Sequence, residues 1–60
     1  MKSCEYVVVY SDHSSEYLYF NTLAGIRRFC EVESLIQKVR KPTHAYLIHD
    51  KEPFSVWRAK

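Results

Sequence analysis

Thr22-Leu-Ala-Gly-Ile-Arg-Arg-Phe-Cys-Glu-Val-Glu-Ser-Leu-Ile-Gln-Lys-Val-Arg-Lys-Pro42 is the stretch that decides the fold. Its residues up to Lys41 are mostly good helix formers with no proline among them. Asn21 and Thr22 offer a side-chain oxygen to the free N–H groups of a helix start. Pro42 closes the segment, because its ring conflicts with a helical residue before it. The reading is a helix from Thr22 to about Lys41.

The apolar residues of this helix are not in one phase. At about 100° per residue, Leu23, Ile26, Phe29 and Cys30 lie on one arc, and Val32, Leu35, Ile36 and Val39 lie on another displaced around the axis. Glu31-Val-Glu-Ser34 marks the change of phase, and Ser34 is itself a residue type that caps helices. One continuous helix is favoured; a kink or break near 31 to 34 is the alternative. Gly25, the single glycine of the chain, sits inside the segment, where it lets the helix approach a neighbouring layer closely.

Outward from the helix on both sides, the composition turns to strand. Glu5-Tyr-Val-Val-Val-Tyr10 and Glu16-Tyr-Leu-Tyr-Phe20 are rich in β-branched and aromatic residues, and Ser11-Asp-His-Ser-Ser15 between them is a cluster of turn formers. Beyond Pro42-Thr43, His44-Ala-Tyr-Leu-Ile-His49 reads as a third strand and Phe54-Ser-Val-Trp-Arg58 as a fourth, joined by a turn over Asp50-Lys-Glu-Pro53. The expected fold class is therefore α+β: one domain over residues 1–60, element order ββαββ, with a four-stranded, largely antiparallel sheet and the helix on one face.

Successive strand side chains point to opposite faces, so each strand divides into two sets. In the first strand Val7 and Val9 oppose Tyr6, Val8 and Tyr10; in the second Leu18 and Phe20 oppose Tyr17 and Tyr19. With the aliphatic sets taken as core, Tyr6, Tyr10, Tyr17 and Tyr19 gather on the uncovered face. Strands three and four allow either choice. Packing Leu47, Phe54 and Val56 inward adds Tyr46 and Trp57 to that aromatic face.

Composition narrows the class of function. Sixty residues hold one small core and no second domain, and 47% apolar residues argue against a disordered chain. Two cysteines are too few for a disulfide-stapled secreted scaffold, and no signal sequence or membrane-spanning run is apparent, so a cytoplasmic protein with free thiols is expected. A formal charge of +2 spread along the chain does not mark a strongly basic nucleic-acid binder.

Catalytic and metal chemistry find little purchase. Cys4, His13, Cys30, His44 and His49 lack the short spacings that pre-orient metal ligands. Cys30 falls on the apolar arc of the helix, as a small buried hydrophobe would. Asp12-His13 and His49-Asp50 read as turn chemistry, and Glu31 and Glu33 do not face each other on a helix. Lys38 to Lys41 is placed in the last helical turn, where the macrodipole favours cations. No cofactor is expected.

What remains is recognition. Tyr and Trp present large rigid rings with polar tips, the profile of a protein-binding or self-associating surface. The expectation is a non-enzymatic binding or regulatory protein, monomeric or homodimeric, of the kind found among small inhibitors encoded by phages and mobile elements. Its expected binding residues are Tyr6, Tyr10, Tyr17, Tyr19, Tyr46 and Trp57, with Arg27 and Arg28 nearby, and its partner is a protein of unknown identity rather than a membrane. The alternative is a single-stranded nucleic-acid module whose rings stack on bases.

Overall fold

The computed structural model describes residues 4–49 and 51–59. The elements run β1 (Cys4–Tyr10), β2 (Ser15–Phe20), α1 (Leu23–Ile36), β3 (Pro42–His49) and β4 (Glu52–Arg58). The four strands form one antiparallel sheet in the order β2-β1-β3-β4, with α1 on one face. The protein is thus an α+β domain of order ββαββ.

The first hairpin closes tightly. The Tyr10 amide donates to the Ser14 carbonyl at 2.8 Å, and the His13 amide donates to the Tyr10 carbonyl at 2.9 Å. His13 takes φ 70°, the left-handed step that follows a type I turn in a three-residue hairpin loop. Asp12 holds the bend by accepting from the Ser14 amide at 3.0 Å and from the Ser14 hydroxyl. Lys51, in the second hairpin, is also left-handed at φ 68°.

Thr22 caps α1 as its position suggests, its hydroxyl accepting from the Gly25 amide at 3.1 Å. The helix is continuous through residues 31 to 34. Ser34 does not start a second helix; its hydroxyl donates back to the Glu31 carbonyl at 2.8 Å. The C-terminal end differs from expectation: α1 stops at Ile36, not near Lys41. Gln37 turns to extended geometry, and residues 37–41 return the chain to the sheet. The Ser11 amide binds the Lys41 carbonyl at 2.8 Å, while the Lys41 amide binds the Ser11 hydroxyl at 3.1 Å. Pro42 then opens β3 instead of ending the helix, and Lys38 to Lys41 lie outside α1.

The core is thin. Tyr6, Val8, Tyr10, Ile26, Cys30 and Ala45 are buried, with Leu18, Phe20, Phe29, Leu47, Val56 and Trp57 packed around them. Gly25 has the steric role its position implied: a Cβ there would stand 3.2 Å from Phe20 Cδ1. The second apolar arc of α1 faces outward, with Leu35 83% and Val39, just beyond the helix, 90% exposed.

Sheet parity departs from the expectation in β1. Tyr6 pairs with Leu18 and Cys4 with Phe20, so the even-numbered residues of both strands share the helix-covered face. Tyr6 and Tyr10 are therefore core residues, only 3% and 4% exposed, and Val7 and Val9 lie on the other face. A hairpin loop with an odd number of residues pairs even positions with even positions. The set containing Leu18 and Phe20 must then share a face with Tyr6, Val8 and Tyr10, whatever the hydropathy of the valines. Trp57 also lies on the covered side, opposite Ala45 and against the core.

Candidate recognition face

The uncovered face is built in cross-strand rows. Tyr17 of β2 stands opposite Val7 of β1, which stands opposite Tyr46 of β3, which stands opposite Ser55 of β4. A second row runs Ser15, Val9, His44, Arg58. Towards the other end, Tyr19 stands opposite Glu5 and Ile48 opposite Pro53. Residues directly across an antiparallel pair share a face, so these rows define one continuous surface.

Its rings are held, but not covered. Tyr17 and Tyr19 are 63% and 65% exposed. The Tyr19 hydroxyl lies 3.3 Å from Glu5 Oε2. His44 stacks on Tyr46 with centroids 6.0 Å apart and planes 12° from parallel, and His44 Nδ1 lies 3.1 Å from the Thr43 hydroxyl. Val7, Val9 and Ile48 fill the spaces between them and are half-buried by their neighbours. The surface is aromatic and aliphatic in its middle and polar at its rim.

Of the expected binding residues, Tyr17, Tyr19 and Tyr46 come together here. Tyr6, Tyr10 and Trp57 lie on the far side of the sheet. Arg27 and Arg28 belong to α1, in the opposite layer, and Arg27 is engaged: its Nε donates to the Val56 carbonyl at 3.1 Å. Val7 and Val9 join the face through the hairpin parity of β1 and β2, whereas His44 and Ile48 join it through the register of β3 against its neighbours.

A second feature lies at the turn end of the first hairpin. Arg40 reaches back from the chain after α1, its Nη1 at 2.9 Å from Glu16 Oε1 and its Nε at 2.8 Å from the Ser14 hydroxyl. Asp12 Oδ2 is 3.6 Å from the same Nε. Burial first, then the Glu16 carboxylate, pushes the Tyr10 phenol up to about 12, while Arg40 pulls the other way. Every group in this cluster has a partner within the chain.

A groove of about 460 Å³ opens between α1 and the sheet, with Trp57, Glu31, Ser34, Lys41 and Arg58 among its walls. Both cysteines are free; Cys4 is exposed and Cys30 buried. Burial, with Glu33 adding to it, raises the Cys30 thiol to about 11. It stays protonated at neutral pH and is a poor nucleophile. Among the described residues, no three of His, Cys, Asp and Glu come together as metal ligands, and no helix is long and apolar enough to cross a membrane. No family model, curated protein or solved structure matches the chain.

Proposed function

We propose that this domain is a non-enzymatic recognition protein that binds a protein partner through the open sheet face and regulates it by occupying its surface. The observation that carries the reading is the row Tyr17, Val7, Tyr46, Ser55, which runs across all four strands with none of the described elements packed over it. Rigid rings around an aliphatic centre bury area at low entropy cost, and the hydroxyl tips of Tyr17, Tyr19 and Tyr46 supply polar contacts at the edge. Two free thiols suit a reducing, cytoplasmic setting.

Charge favours a protein over a nucleic acid. In the strand rows of this face, Glu5 contributes an anion and Arg58 a cation. Arg27 and Arg28 lie on α1, where they cannot neutralise phosphates of a strand stacked on Tyr17 and Tyr46. Single-strand platforms combine stacking rings with a cationic groove, and this face supplies the rings without the groove.

The test is capture of the partner from the organism that encodes the domain, followed by comparison of variants. Tyr46→Ala with Val7→Thr should weaken binding by about 30-fold or more, the cost of truncating a central anchor. Leu35→Ala, on the outer side of α1, should leave it unchanged. Equal loss from both, or tight salt-sensitive binding of a single-stranded oligonucleotide, overturns the reading.

A further inference from the structure

The two edges of the sheet are not alike. Edge strands expose unpaired N–H and C=O groups, and proteins commonly guard them with proline, lysine, bulges or cover. β4 carries such guards. It has Pro53 near its start, a register shift against β3 between its pairs at Ala45 and Tyr46 that leaves Val56 unpaired, and the Arg27 guanidinium on the Val56 carbonyl. Lys51 precedes it and Arg58 is its last residue.

Among the described residues, β2 has none of these guards. Ser15-Glu-Tyr-Leu-Tyr-Phe20 has no proline, glycine or lysine, and it pairs with β1 without a register shift. The bond from the Tyr10 amide to the Ser14 carbonyl sets the alternation of the ladder: even-numbered residues bond inward to β1. The N–H and C=O of Tyr17 and Tyr19 then point away from the sheet. The one ionised side chain of the strand, Glu16, is tied back by Arg40 at 2.9 Å.

We infer that β2 pairs antiparallel with β2 of a second copy of this chain, about a two-fold axis through Leu18, joining two sheets into one of eight strands. Self-complementarity selects a second copy over an unrelated strand, because a two-fold interface must match itself. About Leu18, Tyr17 meets Tyr19 of the partner twice, Leu18 meets its own counterpart, and Glu16 meets Phe20, so no like charges oppose. Tyr17 and Tyr19 exchange main-chain bonds across the axis, and the four rings form a cross-strand cluster on the open face. The thin core gives such pairing a stabilising role, since small domains often rely on association. Pairing uses the β2 main chain and leaves Val7, Tyr46 and Ile48 uncovered, so it stands or falls separately from recognition through the open face.

Sedimentation of the intact chain across a concentration series, read beside two variants, tests the pairing. Wild type should sediment at twice the 7.2 kDa chain mass and dissociate on dilution. Tyr17→Pro removes an outward N–H and no bond to β1, so it should remain folded by circular dichroism and weaken self-association by at least about tenfold. Tyr17→Thr trims the same ring but keeps the N–H, and it should associate more tightly than the proline variant. Amide exchange in the wild type supplies a readout that needs no variant: Tyr17 and Tyr19 should be protected at high concentration and lose protection on dilution. A monomer at every concentration overturns the inference. So does a dimer indifferent to Tyr17→Pro, or one in which the Tyr17 and Tyr19 amides exchange freely, because the contact would then lie elsewhere, such as on the open face.

Discussion

The guanidinium carbon of Arg40 lies 3.6 Å from the centroid of the Tyr10 ring. Four residues beyond the end of α1, this side chain covers a core tyrosine and binds Ser14 and Glu16 on the adjoining hairpin. It explains how a tyrosine can serve as a core residue at the end of a sheet: the ring is buried between layers, and its outer surface is closed by a cation.

Arg40→Ala should therefore lower Tm by more than Arg40→Lys. Lysine retains the charge but loses the planar donors that reach Ser14 and Glu16 together. The difference should shrink in high salt, because the ion pair is partly exposed. Thermal unfolding of the three proteins at low and high ionic strength checks this.

Ile26 and Leu35 are both apolar residues of α1, and the structure gives them opposite fates. Ile26 is fully buried and Leu35 is exposed. Ile26→Ala should cost about 2–4 kcal/mol, a large part of the stability of so small a domain. Leu35→Ser should fall within about 0.5 kcal/mol of wild type. Urea titration measures both.

How much of this could be read from the chain is clear in these two helical arcs and in β1. Element order, the Thr22 cap, the close approach at Gly25 and the arc of Ile26 and Cys30 follow from local rules. The orientation of β1 does not follow from hydropathy, because Val7 and Val9 look more like core than Tyr6 and Tyr10. It follows from pairing parity, which couples β1 to Leu18 and Phe20. The end of α1 had no local signal: residues 37–41 are good helix formers, and contacts to Ser11, Ser14 and Glu16 draw them away. Strict alternation along β4 puts Trp57 with Ser55 on the open face, but the shift in register around Val56 changes the parity and carries the ring to the covered side.

The left-handed residues offer stabilising substitutions. Lys51 at φ 68° pays the full Cβ penalty, whereas histidine, as at His13, is among the residue types found in this region more often than most. Lys51→Gly should raise stability by about 0.5–1 kcal/mol, and His13→Gly by less. Equal gains, or a loss at Lys51, would contradict the turn geometry.

Alkaline pH should unfold the protein in a defined window. The folded state keeps the Cys30 thiol protonated to about 11 and the Tyr10 phenol to about 12, above their ordinary values of 9.0 and 10.0. Folded pKa values above unfolded ones mean that the folded state holds more protons. The contribution is thus complete below pH 9.0 and is lost as pH rises towards 12. Cys30→Ala should flatten the lower part of this decline while lowering stability throughout. At neutral pH, iodoacetamide should modify exposed Cys4 readily and Cys30 only as fast as the domain opens.

The open face is the central claim, and chemical-shift mapping of the labelled domain with its captured partner tests it most directly. Shifts should concentrate at Val7, Val9, Tyr17, Tyr46 and Ile48, with Arg28 and Leu35 silent and the fluorescence of Trp57 unchanged. Shifts centred on α1 or on the groove beside Trp57, with Val7 and Tyr46 unmoved, would contradict it.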